Sequence, residues 1–294
     1  MRAPIFLRVA VLGFFMATGF GRLLWAGPTD SVIVRRGIAY GEDHPELCRL
    51  DLYLPAGKRI LRPGVLLIHG GGWRGGNRAQ WAELAGVLVS HGYICASASY
   101  RLAPDHLFPA AISDVRRAMA FFKSHAGEYG MDPERIGAVG SSAGGHLAAL
   151  LATIGPQDRL GIEKELPVTD TRPQAVACYN PVLDFLAEPR LWPHPLLFLG
   201  AAPEQAHEVY SRASPALRIT GDEPPFLFLY GSLDDLTPEA KSKSTVNRLA
   251  AFGIPVEVAF FHGMSHGFGY RLRSPEQKRA ARAVADFFNR RLKK

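Results

Sequence analysis

The chain has 294 residues, of which 47% are hydrophobic and 21% are charged, and its formal net charge is +7. A chain of this length can bury a large core as one α/β domain, and this composition excludes an intrinsically disordered protein. The three cysteines are widely spaced, which gives neither a disulfide framework nor a metal-binding pattern, and they are predicted to be small buried side chains.

Residues 1–26 differ from the rest of the chain. Arg2 and Arg8 precede an apolar stretch over 9–20, and small residues follow near Ala26. This order predicts a signal peptide over 1–26 and a secreted or periplasmic protein. The apolar run is short for a bilayer span, so no stable membrane insertion is expected once the leader is removed. An N-terminal membrane anchor and a buried first helix are the alternatives.

The predicted leader contributes part of the net positive charge. The leader contains three of the 34 basic residues and no acidic one, so its removal would leave 31 basic and 27 acidic side chains, a net charge of +4. No basic stripe is interleaved with aromatic residues, and no nucleic-acid partner is therefore expected. The sequence does not indicate an oligomeric state.

The remaining chain alternates between strand and helix patterns. The segment 48–55 alternates apolar and polar residues, as in a strand with one solvent-exposed face, whereas Val65–Ile68 is a continuous apolar run typical of a central parallel strand. Further strands are predicted over 31–41, 93–100, 135–140, 174–180, 224–231 and 256–263, and helices over 79–92, 108–130, 142–155, 238–253 and 274–294. This alternation predicts an α/β fold with a mostly parallel central sheet and helices on both faces.

One segment interrupts this alternation. Residues from about 182 to 212 are rich in proline and aromatic side chains. We predict that they form a short cap over the strand ends, inserted in a catalytic domain over 27–294. A long connection without cap function is the alternative.

Two adjacent serines lie in the stretch AVGSSAGGHLAAL at 138–150. Ser142 has Gly140 and Gly144 two positions away on either side, whereas Ser141 has no glycine at those positions. A sharp strand-to-helix turn strains its central residue and leaves no room for side chains two positions away. Ser142 is therefore the predicted nucleophile, and a glycine-rich turn without chemistry is the alternative.

A serine nucleophile needs donors for the oxyanion that forms when it attacks a carbonyl. The stretch HGGGW at 69–73 directly follows the buried strand, and three glycines allow the backbone to approach a ligand closely. The N–H groups of Gly71 and Gly72 are predicted to hold the oxyanion together with that of Ala143. A flexible glycine loop is the alternative.

The nucleophile also needs an acid and a base. Asp234 lies three residues after Gly231 at the end of a buried strand and is the predicted acid; Asp235 is the second choice, and both could instead cap the loop. His266 lies in a glycine-bearing loop after the last strand and is the predicted base. His262 is less suited, because the base must leave the sheet to reach a serine on another strand.

Other polar residues are assigned to structure. His146 is expected to pack beneath the serine turn, and His69 to brace its own loop. Arg101 and Asp114 are expected to pair in a buried polar network, with a solvated pair as the alternative.

With these residues placed, the chain resembles α/β-hydrolase serine esterases that carry an HGGGW loop. It resembles bacterial carbohydrate esterases of the acetyl-xylan and feruloyl esterase type, which are related to hormone-sensitive-lipase-like esterases. The resemblance covers residues 48–290 and rests on HGGGW, SYRLAPDHLFPAAISDVRRAM, GSSAGGHLAAL, LYGSLDDLTPEAKS and HGMSHGF. It implies the α/β-hydrolase fold, with Ser142, Asp234 and His266 in the nucleophile–acid–base order of that fold.

The resemblance further implies a serine carboxylesterase that cleaves short-chain esters through an acyl-enzyme, without cofactor or metal, and the leader predicts that it is secreted. Acetylated plant-polysaccharide sugars are the expected substrates. Tyr230 departs from the histidine that often precedes the glycine in such enzymes, and the short cap argues against long-chain lipids. The rivals are a serine peptidase of the prolyl-oligopeptidase type and a non-catalytic binding protein on the same fold.

Overall fold

The structure is a computed structural model that describes residues 32–57, 60–162, 164–168, 170–187 and 193–293. The predicted signal peptide at 1–26 lies outside the described residues. Across the described part of the chain, the strands are β1 (Val32–Ala39), β2 (Arg49–Pro55), β3 (Arg62–Ile68), β4 (Ile94–Ala98), β5 (Met131–Ser141), β6 (Ala175–Tyr179), β7 (Phe226–Gly231) and β8 (Val256–Phe261).

The helices follow the strands in the predicted alternation. They are α1 (Ala82–Ser90), α2 (Ala110–Ser124), α3 (Ala126–Tyr129), α4 (Ala143–Ala152), α5 (Pro193–Leu199), α6 (His207–Ala213), α7 (Glu239–Ala251) and α8 (Pro275–Leu292). The single helix predicted over 108–130 is wrong in one respect: His125, whose ψ is 10°, separates α2 from α3. None of the described helices has the length and apolar character needed to cross a membrane.

The strands form one sheet in the order β1-β2-β4-β3-β5-β6-β7-β8. β2 is antiparallel to both of its neighbours, and the pairs from β4 through β8 are parallel. The apolar run predicted as a central strand, β3, is the fourth of the eight strands in this order. β3, β6 and β7 are buried along almost their whole length, because helices cover both of their faces. The prediction of a mostly parallel α/β sheet is confirmed.

Helices cover both faces of the sheet. On one face, α2 and α4 contribute Phe122 and Leu150 to a large apolar core. On the other face, α1 and α8 contribute Leu88 and Phe288 to a second core. Every residue of α4 is buried, which agrees with its almost wholly apolar sequence. This helix lies directly behind the serine turn and supports it from the interior.

The solvent-exposed face predicted for β2 is wrong. Asp51, in the middle of that strand, is only 2% exposed. Its carboxylate accepts hydrogen bonds from the Arg78 guanidinium (2.7 Å) and from the N–H of Gly37 (2.9 Å). Because these partners satisfy the buried charge of Asp51, the strand tolerates a polar residue although both of its faces are covered. The alternation of apolar and polar residues in β2 therefore does not indicate a solvent-exposed face.

The remaining polar pair and the cysteines are also placed. Arg101 and Asp114 form a buried ion pair with an Nη2–Oδ1 distance of 2.8 Å, so the buried network is confirmed over the solvated pair. All three cysteines are buried and none is in a disulfide. They therefore pack as small side chains, as the sequence predicts.

The segment predicted as a cap contains α5 and all but the last residue of α6. Phe198 of α5 stacks on Trp73 with a ring-centroid distance of 4.7 Å, so α5 packs against the HGGGW loop. Residues 188–192 of the segment lie outside the described residues. Its function as a cap stays a prediction.

Parallel strands bring the chemically interesting loops to one edge. Ile68 at the end of β3 pairs with Gly140 near the end of β5, and Ser141 pairs with Tyr179 at the end of β6. The HGGGW loop and the serine turn are therefore neighbours in space, although about 70 residues separate them in the chain.

Candidate active site

Ser142 occupies the turn between β5 and α4. Its φ of 55° and ψ of −120° are rare for any residue other than glycine. The turn is held from both sides, because the N–H of Ser142 donates to the carbonyl of Tyr179 (2.8 Å) and its carbonyl accepts from the N–H of His146 (2.9 Å). The Ser142 side chain is half-buried, whereas that of Ser141 is fully buried.

The two glycines around Ser142 leave room for this turn. A Cβ on Gly140 would overlap the carbonyl oxygen of Gly144, and a Cβ on Gly144 would overlap the carbonyl oxygen of Ile68. These overlaps involve backbone atoms, which cannot move aside as the end of a flexible side chain can. Glycine is therefore needed two positions before and two positions after Ser142 because no Cβ fits there, as the sequence predicted.

The strain at Ser142 gives a testable difference in stability. We expect Ser142→Gly to be more stable to urea than Ser142→Ala by about 1 kcal/mol, because glycine adopts a positive φ without a steric penalty. Both variants lack the hydroxyl, so only the backbone effect differs. Ser141, at the end of a strand, supplies the control, and there the glycine variant should be the less stable by about 0.5–1 kcal/mol. The same sign at both positions would contradict the assignment of strain to Ser142.

The structure brings together the three side chains predicted as nucleophile, acid and base. His266, in the loop after β8, has its Nε2 2.7 Å from the Oγ of Ser142 and its Nδ1 2.8 Å from the Oδ2 of Asp234. In this arrangement Nδ1–H donates to the carboxylate, and Nε2 accepts from the serine hydroxyl. His266 can therefore take the proton of Ser142. His262 is exposed at the end of the last strand.

Asp234 is held as an ionised carboxylate. Burial raises the pKa of Asp234, but hydrogen bonds from His266 and from the N–H groups of Thr237 and Leu236 lower it by more. The two N–H groups both donate to Oδ1 at 2.9 Å, which leaves Oδ2 for the imidazole. Asp234 thus caps its loop and orients His266 at the same time. Asp235 is exposed and does neither.

Thr237 is a site residue that the sequence did not single out. Its hydroxyl donates to the carbonyl of Asn180 (3.0 Å) and lies 3.2 Å from Nδ1 of His266 and 3.3 Å from Oδ2 of Asp234. It therefore packs against the bond between the acid and the base. A threonine three residues after a loop-capping aspartate was the only available signal, and it is also typical of ordinary turns.

The HGGGW loop, which carries two of the predicted oxyanion donors, passes close to Ser142. Gly71 and Gly72 have φ values of 114° and 61°, which suit glycine. The N–H groups of Gly71, Gly72 and Ala143 have no hydrogen-bond acceptor among the residues that the structure describes. A Cβ on Gly70 would lie 3.2 Å from the Cβ of Ser142, so the loop passes close to the serine side chain. The role of these three N–H groups as oxyanion donors stays a prediction.

Tyr270 anchors the start of the HGGGW loop. The N–H of Gly70 donates to its hydroxyl oxygen at 2.6 Å. Tyr270 follows His266 by four residues, so the loop that carries the histidine also contacts the loop that carries the oxyanion donors. Sequence analysis missed this contact, because the two partners are 200 residues apart.

His69 and His146 are buried and neutral, in agreement with the structural roles that the sequence predicted for them. His69 Nδ1–H donates to the carbonyl of Gly70 at 2.8 Å, and its ring stacks on Tyr100. His146 Nε2–H donates to the carbonyl of Ala213 at 2.7 Å. Burial lowers the pKa of each imidazole to about 4.

These two histidines predict a loss of stability in mild acid. Below pH 6.5 the unfolded chain binds a proton on each imidazole, whereas the folded protein does so only near pH 4. The free energy of unfolding should therefore fall as the pH drops from 6.5 to 4, by about 3 kcal/mol for each histidine. Urea titrations in half-unit steps would measure this. His146→Asn should reduce the pH slope by about one proton, and an unchanged slope would contradict the prediction.

In the part of the chain that the structure describes, a cavity lies near the site, whereas a cluster of metal ligands does not. Within the described ranges, no three histidine, cysteine, aspartate or glutamate side chains converge as metal ligands. A cavity of about 210 Å³ lies beside Thr237, between the segment after β6, the start of α5 and the start of α7. Phe185 and Pro195 form apolar walls of this cavity, and Lys241 lines it from α7.

Comparison with known proteins gives a consistent result. A family model described as BD-FAE matches residues 50–249. The "Probable carboxylic ester hydrolase LipM" of Mycobacterium tuberculosis is 35% identical over 267 residues, which cover 85% of this chain and 59% of LipM. "Esterase LipC" of the same organism is 33% identical over 273 residues, which cover 87% of this chain and 64% of LipC. The chain thus spans about three fifths of the length of these curated relatives.

Solved structures have the same fold. A truncated carbohydrate esterase from gut microbiota superposes with a TM-score of 0.79 at 22% identity, covering 90% of this chain and 99% of that one. The thermophilic esterase Est2 of Thermogutta terrifontis, solved with propionate bound, superposes with a TM-score of 0.71 at 25% identity, covering 90% of this chain and 94% of that one.

Proposed function

The chain belongs to the BD-FAE family, and we propose that it is a serine carboxylesterase that hydrolyses short-chain esters through an acyl-enzyme. The observation that carries this proposal is the position of His266, with one ring nitrogen 2.7 Å from the hydroxyl of Ser142 and the other 2.8 Å from the carboxylate of Asp234. LipM and LipC, which are named as ester hydrolases, support the same reaction class.

In the proposed first step, Ser142 Oγ attacks the ester carbonyl carbon while its proton passes to Nε2 of His266. The imidazolium that forms is stabilised by the carboxylate of Asp234. The carbonyl oxygen becomes an oxyanion, which accepts hydrogen bonds from the N–H groups of Gly71, Gly72 and Ala143. Collapse of this tetrahedral species breaks the bond to the alcohol oxygen, and His266 returns the proton to the departing alcohol.

In the second step, water takes the place of the alcohol. His266 accepts a proton from the water as its oxygen attacks the acyl carbon bound to Ser142. The same N–H groups hold the second oxyanion. Collapse of this species breaks the bond between the acyl carbon and Ser142 Oγ, which takes the proton back from His266 as the carboxylic acid leaves. The cycle therefore needs only protein groups and water.

Short acyl groups suit this site. The structure of Est2 contains propionate, a three-carbon acid. The propionate in Est2 and the short cap segment at about 182–212 both favour acetyl and propionyl esters over long-chain lipids. We further propose acetylated sugars of plant polysaccharides as natural substrates, on the resemblance of the motifs to carbohydrate esterases.

Export is part of the same proposal, because polymeric sugars are met outside the cell. We propose that residues 1–26 direct secretion to the periplasm or the medium and are then cleaved. Sequencing the N-terminus of the protein recovered from each compartment of a producing bacterium tests this. A first residue close to 27 in the exported fraction is expected, and retention of Met1 in every fraction would overturn it.

The activity is tested with a panel of p-nitrophenyl esters with acyl chains of two, four, eight and sixteen carbons. We expect kcat/KM to be highest for the two shortest chains and to fall at least about tenfold by eight carbons, because a short cap offers little apolar surface to a longer chain. Aminoacyl-proline p-nitroanilides in the same assay test the peptidase alternative. Release of acetate from acetylated xylan tests the sugar substrate.

Two results would overturn the esterase proposal: faster cleavage of the anilides than of any ester, or no cleavage of any member of the panel. The nucleophile is tested separately with paraoxon, which phosphorylates activated serines. Mass spectrometry of the tryptic peptides should locate the phosphoryl group on Ser142. A label on another residue would remove Ser142 from the mechanism.

A further inference from the structure

The proposed oxyanion donors come from two separate segments. Gly71 and Gly72 follow β3, whereas Ala143 begins α4. N–H groups stabilise an oxyanion only when each lies about 3 Å from its oxygen. The two segments must therefore keep a fixed separation, and a shift of about 1 Å in such a site can cost on the order of 100-fold in rate.

A buried hydrogen bond between side chains links the two segments. The indole Nε1–H of Trp73 donates to Nδ1 of His146 at 3.0 Å. Trp73 directly follows Gly72, and His146 lies one helical turn after Ser142, with its own N–H bound to the Ser142 carbonyl (2.9 Å). Both side chains are at most 1% exposed. The bond therefore connects the HGGGW loop to the helix behind the serine.

The partners of His146 determine its tautomer. An indole N–H can only donate, so Nδ1 of His146 must be the acceptor and the proton must lie on Nε2. Nε2–H then donates to the carbonyl of Ala213, at the end of α6, at 2.7 Å. One neutral imidazole thus holds three chain segments: the loop, the serine helix and α6.

The backbone of Trp73 needs such support. Its φ is 59°, which is unfavourable for a bulky side chain and persists only when surrounding contacts impose it. The indole ring stacks on Phe198 at 4.7 Å and meets Phe185 at 5.4 Å, while its N–H is bound by His146. Stacking fixes the plane of the ring, and the hydrogen bond fixes its rotation within that plane.

We propose that His146 is a positioning residue for the esterase reaction. By accepting the Trp73 N–H, it holds Gly71 and Gly72 at the distance from Ala143 that an oxyanion requires. This inference rests on the proposed function. The competing interpretation is that His146 only stabilises the fold. In that case loss of its bond to Trp73 and loss of its bond to Ala213 should affect catalysis equally.

Two substitutions separate the two hydrogen bonds of His146. In His146→Asn, the side-chain oxygen occupies the place of Nδ1 and can still accept from Trp73, but nothing reaches Ala213. In His146→Gln, the longer side chain can donate to Ala213 but presents no acceptor to Trp73. Each variant loses one buried hydrogen bond, so the two should have similar midpoints of urea denaturation.

The two variants should differ in catalysis. For p-nitrophenyl acetate, we expect kcat of His146→Gln to fall about 10- to 100-fold with KM within about threefold of the parent, because oxyanion stabilisation acts on the transition state. His146→Asn should retain kcat within about threefold. Trp73→Phe, which keeps the stacked ring but removes the N–H, should match His146→Gln and supplies the same test if that variant does not fold.

A second readout reports on the oxyanion itself. A trifluoromethyl ketone adds to the active serine and forms a tetrahedral oxyanion that resembles the transition state. Its affinity for His146→Gln and Trp73→Phe should fall by the same factor as kcat/KM. The double variant should lose no more than about twofold beyond either single variant, because both remove the same bond.

Equal losses of kcat in His146→Asn and His146→Gln would overturn the inference, as would ketone affinity unchanged in Trp73→Phe. These outcomes are distinct from a failure of the proposed function. If the parent does not cleave esters, or if Ser142→Ala does, the esterase assignment itself is wrong. If the parent is active and depends on Ser142 while His146→Gln retains full kcat, only the positioning role is wrong.

Discussion

Replacing Ser142 with alanine should lower kcat for p-nitrophenyl acetate by about 10⁴- to 10⁶-fold, because no other group can form the acyl-enzyme. The hydroxyl of Ser142 lies 2.7 Å from Nε2 of His266, and this contact is the route by which its proton leaves. The fold should persist, since the strained backbone conformation is available to alanine as readily as to serine. Circular dichroism and urea denaturation check this point.

Ser141→Ala is the matched control for this experiment. Ser141 is adjacent in sequence and carries the same hydroxyl, but its side chain is fully buried. We expect its kcat to stay within about threefold of the parent. Ester cleavage by Ser142→Ala within tenfold of the parent, measured on protein freed of host esterases, would remove the nucleophile assignment and the acyl-enzyme mechanism with it.

Asp234→Asn should lower kcat by about 10⁴-fold, because it changes which ring nitrogen of His266 carries the proton. Oδ1 of Asp234 accepts from the N–H groups of Leu236 and Thr237, so the amide oxygen of an asparagine would remain at that position. Its NH₂ group would then face Nδ1 of His266. Nδ1 would have to accept, the imidazole proton would move to Nε2, and Nε2 could no longer take the proton of Ser142.

Asp235→Asn controls for the charge change in the same loop. Asp235 is exposed and was the second choice for the acid on sequence grounds. Its kcat should stay within about twofold of the parent. If Asp235→Asn lost activity while Asp234→Asn remained active, Asp235 and not Asp234 would be the acid that orients His266. In Asp234→Asn combined with Ser142→Ala, the loss should not exceed that of the serine variant alone, because the two residues act as one unit.

The fold class could be predicted from the sequence because it depends on periodicity. Continuous apolar runs such as Val65–Ile68 are typical of buried strands between covered faces, and helices between such strands favour parallel pairing. The confirmed resemblance to esterases depends likewise on local motifs. Where local pattern failed, a distant partner was the reason: Asp51 is buried because Arg78 and Gly37 satisfy its charge.

The contacts around the site could not be predicted in the same way. The Trp73–His146 hydrogen bond joins residues 73 positions apart, and the one from His146 to Ala213 joins residues 67 positions apart. No local pattern encodes such pairs, because any buried polar group can be satisfied by many partners. The contact of Thr237 with His266 has the same origin.

The amino-acid sequence by itself determined which residue type follows each strand: the glycines after β3, the serine between two glycines after β5, the aspartate after β7 and the histidine after β8. The tertiary structure alone decided which of these side chains meet and which buried groups support them. The physical reason is the strand order of the sheet, in which β3 lies between β4 and β5. Which loops lie next to each other at the edge of the sheet therefore depends on pairing between strands that are distant in sequence. Local sequence patterns carry no information about this pairing.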